Sequence, residues 1–278
     1  GSKKTPQKAR ITASRKTSHS QQQVPQQLRI MTYNVHSCIG MDGKLAPERI
    51  DRLIARHEPD IVALQEIDVG RMRTNSADQA QVIAHHLGMD VHFHGALHIE
   101  RERFGDAVLT HLPMRLIKAA DLPRLPLSPI SEPRGALWVE INAFGEKIQL
   151  INTHLSLRSR ERRAQVESLL GNHWLGHPNC HMPTILCGDF NLRPNSREWQ
   201  TLNTAFSDVQ SATLDHIPRK TFASRFPTMR IDHIFIDKAL QPVAVQIPNN
   251  ALARVASDHL PLIADIRLVG AKQITSVT

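Results

Sequence analysis

Cysteine is scarce in this chain of 278 residues, with three in all: Cys38, Cys180 and Cys187. An odd number without a metal-type spacing argues against a disulfide scaffold and a structural zinc site, so the three read as reduced thiols. No apolar run approaches the roughly 20 residues that a membrane-spanning helix needs, and no internal repeat of fixed period is present. His-Glu-x-x-His is missing, which leaves a helix-borne zinc unsupported, and so is Gly-x-Ser-x-Gly, the elbow of a serine hydrolase. Acidic residues are absent from positions 1 to 27, where Lys3, Lys4, Lys8, Arg10, Arg15 and Lys16 supply six of the net +8 charges. The rest of the chain is close to neutral.

What is present suits a soluble globular protein: 41% of residues are hydrophobic, enough for a substantial core. The polar first 27 residues, with a glutamine run at 21 to 23, are expected to be disordered. Their charge would attract nucleic acid or an acidic membrane, although a solvated linker is the commoner role of such a segment. Gly1-Ser2 has the look of an expression scar, so the natural start, with any targeting segment, is expected to lie elsewhere. A cytoplasmic location is favoured.

Along the chain, Leu28 to Val35 reads as a strand ending near Asn34, and Pro47 opens a helix with Ile50, Leu53, Ile54 and His57 on one face until Pro59. A second strand, Asp60 to Gln65, delivers Glu66 at its end, where α/β sheets gather functional groups. Arg71 and Arg73 follow in a loop; their forks suit phosphate or simple solvation. A helix from Ala77 to Leu87 and a strand from Ala107 to Thr110 come next. The Leu- and Pro-rich segment from His111 to Arg134 is expected to be irregular and to border a substrate. Ala136 to Asn142 and Lys147 to Thr153 form paired strands around Phe144-Gly145, and the second leads to His154. The helix from Ser156 carries Arg158 and Arg160, which lie nearer His154 in sequence than Arg162 and Arg163 do. Thr184 to Cys187 reads as a buried strand; Gly188 then permits a sharp turn that presents Asp189 and Asn191 to one side, for chemistry or for an Asx-type turn. Asp232 stands at the start of a strand through Ile236, and Asp258-His259 precede a last strand, Leu260 to Leu268.

Each of these polar residues flanks an apolar strand, and the inventory of carboxylates, amides and imidazoles suits hydrolysis at phosphorus with a hard divalent cation. The ordered set Thr32-Tyr33-Asn34, Gln65-Glu66, Asn152-Thr153-His154-Leu155, Gly188-Asp189-Phe190-Asn191, Ile231-Asp232-His233-Ile234 and Ser257-Asp258-His259 resembles the endonuclease/exonuclease/phosphatase superfamily. The resemblance implies one α/β (α+β) domain over residues 28 to 270, between the basic tail and a short tail at 271 to 278. Its fold would be the deoxyribonuclease-I-like four-layer sandwich, two mainly antiparallel sheets face to face with helices outside. It further implies Mg²⁺, with Mn²⁺ as a substitute, held by Glu66 with Asn34 and Asp258. Asp189 would orient or deprotonate the attacking water with Asn191 beside it, His259 would contact the phosphate while Asp232 orients its ring, and His154 would stabilise the equatorial oxygens. Arg134 would face the phosphate, with Arg71, Arg73, Arg158 and Arg160 as further phosphate contacts. Asp106 and His111 depart from the family pattern, where asparagine and arginine are usual.

The resulting expectation is a monomeric Mg²⁺-dependent phosphodiesterase acting on nucleic acid, with DNA favoured. A phospholipid or phosphoinositide substrate is the alternative, with the Leu/Pro-rich loop and basic tail touching lipid. A non-catalytic binding domain is the least favoured reading, because every expected catalytic position is filled.

Overall fold

A computed structural model describes residues 26–99, 102–125 and 131–269. The expected terminal tails, positions 1–25 of the first and 271–278 of the second, lie outside the described residues. Among the described residues, twelve strands make two sheets of six. In chain order they are β1 (Gln27–Asn34), β2 (Ile61–Val69), β3 (Asp90–Ile99), β4 (Glu102–Thr110), β5 (Met114–Asp121), β6 (Gly135–Ala143), β7 (Glu146–His154), β8 (Thr184–Asp189), β9 (Ser207–Asp208), β10 (Asp232–Ile236), β11 (Leu240–Gln246) and β12 (Leu262–Leu268). The helices are α1 (Pro47–His57), α2 (Gln79–Leu87), α3 (Ser159–Leu170), α4 (Arg197–Ala205), α5 (Val209–Ala212) and α6 (Ala251–Ala256).

The first sheet runs β11-β12-β1-β2-β4-β3 and the second β5-β6-β7-β8-β10-β9. Each has one parallel pair among antiparallel neighbours: β1 with β2, and β7 with β8. Alternation along the second sheet explains the layering. Leu137, Val139, Ile185, Cys187, Ile234 and Ile236 point into the core shared with the first sheet. Trp138, Leu186 and Phe235 point outward, into a second core with Val166 and Leu169 of α3 and Trp199 and Leu202 of α4. Ile50, Leu53 and Ile54 of α1 and Ile83 of α2 join the main core.

Several expectations change. The His111–Arg134 segment is not wholly irregular, because Met114–Asp121 forms β5 at the edge of the second sheet. Pro113 and Pro123 stand just outside it, where no ladder hydrogen bond is lost. Positions 126–130 lie outside the described residues. Strand β3 was not foreseen: its alternation slips phase at a bulge between Gly95 and Leu97. Strand β2 continues past Gln65 to Val69, so Glu66 sits inside a strand rather than at its end. Gly188 likewise lies within β8 and makes no turn. It lets β7 approach closely, since a Cβ there would stand 1.8 Å from the Thr153 carbonyl oxygen, and its φ of +145° suits glycine.

Candidate active site

The carboxyl ends of both parallel pairs point to one end of the sandwich, and the antiparallel β10 and β12 begin there. Asp189, last in β8, is therefore in register with His154 of β7 on one side and Asp232 of β10 on the other. From the first sheet, β1 brings Asn34 beside Gln65. The Ser257 hydroxyl donates to the Asn34 carbonyl at 2.7 Å, which draws Asp258 and His259 to the same end.

Glu66 reaches the site through backbone distortion. The ladder between β2 and β4 shifts register between Leu64 and Ile67, and Glu66 adopts a φ of +57°. A bulge of this kind re-aims one side chain at some conformational cost. Behind it, Asn152 of the second sheet accepts from Gln65 Nε2 at 2.8 Å and donates to the carbonyls of Leu64 and Ala107 at 2.9 and 3.0 Å. This buried amide joins the two sheets directly under the site.

Asp189 is the hub. Its Oδ1 accepts from the Asn191 backbone N–H at 3.1 Å, an Asx-type turn, while Oδ2 accepts from Asn34 Nδ2 at 3.0 Å. The same Oδ2 lies 3.3 Å from His154 Nε2 and 3.5 Å from His259 Nε2. The Asx-type turn of the Gly-Asp-Phe-Asn stretch thus occupies one carboxylate oxygen and leaves the other facing the two imidazoles. Burial would raise the Asp189 pKa, but the His154 and His259 imidazoles beside it and the hydrogen bonds from His154 and Asn34 hold it well below the carboxylate range.

The two histidines are set differently. Arg134 Nη1 lies 2.9 Å from His154 Nδ1, and a guanidinium only donates. His154 Nδ1 is therefore an acceptor, and its proton sits on Nε2, facing Asp189. His259 Nδ1 lies 2.8 Å from Asp232 Oδ2, which also accepts from the Thr221 hydroxyl at 2.5 Å. Burial lowers the His259 pKa, but the Asp232 and Asp189 carboxylates more than reverse it, raising it to about 10. Phe222 packs on this imidazole with ring centroids 4.9 Å apart. Neither Thr221 nor Phe222 was singled out by the sequence; the fold alone brings them against His259 and Asp232.

Asn34 lies between the carboxylates, its Nδ2 also donating to Glu66 Oε1 at 2.8 Å. Asn191 donates Nδ2 to the Leu155 carbonyl at 2.8 Å. Glu66, Arg134, His154, Asp189, Asn191, Asp258 and His259 all line one cavity of about 400 Å³. The other arginines divide differently from the sequence reading. Arg73 forks onto Asp68 at 2.8 Å and does not line the cavity, nor does Arg71 in the same turn. Arg158 and Arg160 are exposed and outside it, whereas Arg162, one helical turn further on, lines it. Rotation about the axis of α3, not distance along the chain, decides which arginine faces the cavity, and it is the one at the end of the first turn.

The oxygen donors fit a hard divalent cation. Glu66 and Asp258 are half-buried carboxylates on the same cavity, and Glu66, His154 and Asp189 offer ligand atoms within 4.8 Å of one another. With its proton on Nε2, His154 is a donor there, which leaves carboxylate oxygens, the set preferred by Mg²⁺ or Mn²⁺.

The Endonuclease/Exonuclease/phosphatase family model matches residues 31–259, a span containing every residue of this site. The chain belongs to that family. It is 26% identical over 258 residues to the uncharacterised protein YbhP of Escherichia coli K12, covering 86% of this chain and 96% of that one. Among solved structures of the fold, the human Nocturnin catalytic domain is 23% identical with a TM-score of 0.66, covering 88% of this chain and 94% of its own. The mannosyl-6-phosphatase Bt3783 of Bacteroides thetaiotaomicron is 18% identical with a TM-score of 0.69, covering 86% and 99%. The two six-stranded sheets with surrounding helices are the deoxyribonuclease-I-like fold of this family, whose members are hydrolases of phosphoester bonds.

Proposed function

We propose that the protein is a Mg²⁺-dependent phosphodiesterase that cuts nucleic acid, with DNA as the preferred substrate. The observation that carries the reading is the arrangement around Asp189 Oδ2, with His154 Nε2 at 3.3 Å and His259 Nε2 at 3.5 Å, beside the carboxylates of Glu66 and Asp258 in one cavity. When bound by Glu66 and Asp258, the cation would neutralise phosphate charge and help expose phosphorus to attack. Asp189, kept ionised, orients a water for in-line displacement. It is a weak base by itself, so orientation is its main task. Asn191 borders that water, and Asn34 holds Glu66 and Asp189 apart at a fixed spacing. The His259 imidazolium, braced by Asp232, and the Nε2–H of His154 donate to phosphate oxygens as charge builds on them. Arg134 fixes the His154 ring and adds positive charge at the same wall.

Glu66→Ala and His259→Ala are each expected to reduce cleavage of plasmid and oligonucleotide DNA in Mg²⁺ by about a hundred- to a thousandfold, the scale of losing a principal charge-stabilising group. Retention of wild-type cleavage in both variants would refute the assignment.

A further inference from the structure

We propose that Arg162 and Arg193 form a second anion site beside the scissile-phosphate site, so that the preferred substrate carries another phosphate next to the bond that is cut. This inference rests on the phosphodiesterase reading above and narrows its substrate to a chain with neighbouring phosphates.

Both arginines line the cavity that holds Glu66, Asp189 and His259. Arg134, the third cation there, is committed to His154 Nδ1 and, through Nη2, to Glu132 at 3.2 Å. Most nearby arginines are likewise matched: Arg163 with Glu198, Arg230 with Asp208 and Arg73 with Asp68. Among the described residues, neither Arg162 nor Arg193 has a carboxylate within salt-bridge distance. Arg162 Nη1 donates to the carbonyls of Ser156 and Leu157 at 3.1 and 3.0 Å, and its Nε is buried without a hydrogen-bond partner. Arg193 Nη2 meets the Met229 sulfur at 3.1 Å, a weak acceptor. Two guanidinium groups with unspent donors on one cavity are suited to a phosphate, which accepts bidentate hydrogen bonds.

Local folding explains why they share a rim. The Asn191 side chain donates to the Leu155 carbonyl at 2.8 Å, tying the segment after β8 to the segment after β7. Arg193 follows on the first segment, and Arg162 is hydrogen-bonded to the second. Leu157, 75% exposed, and Met229 and Ile231 line the same cavity and offer apolar contact to the sugar or base between two phosphates. A lone phosphate monoester would leave this half of the cavity unused.

The test uses the full chain with Mg²⁺ and a thymidine dinucleotide without a terminal phosphate, compared with forms phosphorylated at the 5′ and at the 3′ end. The wild-type protein should prefer one phosphorylated form in kcat/KM. In Arg193→Ala the ratio of kcat/KM between that form and the unphosphorylated one should fall about tenfold, mostly through KM, as loss of a charge-assisted hydrogen bond at an exposed site predicts. Arg162→Gln should lower the same ratio. A ratio within each variant cancels any loss of folded protein. No preference in the wild type, or a ratio unmoved in both variants, overturns the second site. Hydrolysis of none of the three dinucleotides overturns the phosphodiesterase reading and this inference with it.

Discussion

Asp106 places a titratable carboxyl beside the candidate site. It is buried in β4, and burial pushes its carboxyl up to about 7; His154 and Arg134 pull it down, and Asp189 and Glu66 push it up again. The unfolded chain loses this proton near a pH of about 3.9. Between that value and about 7 the folded chain binds the proton and the unfolded chain does not, so stability falls as pH rises through the window and levels off above it. Asp106→Asn keeps the shape without the charge. It should gain ~1–3 kcal/mol in urea unfolding at pH 8 relative to pH 5, measured with chelator present. Equal effects at both pH values would show that Asp106 titrates normally. At this scale much of the candidate site was legible from sequence: His154 and Asp189 end β7 and β8, Asp232 opens β10, and His259 lies just ahead of the apolar β12. Arg162 was not, because only the path of α3 shows which arginine returns to the cavity.

At the scale of elements, the pairing of β7 with β8 sets the spacing of His154 and Asp189. That pairing depends on Gly188, where a Cβ would fall 1.8 Å from the Thr153 carbonyl oxygen. Backbone cannot yield as a side chain can. Gly188→Ala is therefore expected to cost about 3–5 kcal/mol, read as a lowered urea midpoint, and to separate the strands carrying the two residues. A change below about 1 kcal/mol would mean that the sheet accommodates the methyl group. Strands with clean alternation, such as β6 and β7, were evident from sequence. Two bulged strands were not: β3 slips phase after Gly95, and β5 shifts between Leu116 and Lys118 while lying between prolines; of β2, only the part ahead of its bulge was. A bulge leaves no composition signal, since it is one residue out of step.

At the scale of the whole molecule, two sheets are held face to face by a common core and by the Asn152–Gln65 amide pair, while carboxylates crowd one end. A cation bound there would relieve that crowding only in the folded chain. Mg²⁺ at a hundred times its dissociation constant should add about 2.7 kcal/mol, raising the thermal midpoint by roughly 5–10 °C. Glu66→Ala should abolish the increment. A full increment in that variant would locate the cation elsewhere. The sandwich itself was not visible in residue patterns, which show strands alternating with helices and nothing of their order. It followed from the motif series, because six short motifs in fixed succession constrain topology more than periodicity does. Among the described residues, no helix is long and apolar enough to cross a membrane.

The φ of +57° at Glu66 sets two kinds of selection against each other. Glycine or asparagine adopts that conformation at lower cost than glutamate. A library randomised at position 66 and sorted for heat resistance without metal should therefore enrich glycine and asparagine, whereas one sorted for turnover should return glutamate. Under the proposed mechanism, the residue that thermal screening would discard first is the one that turnover would require.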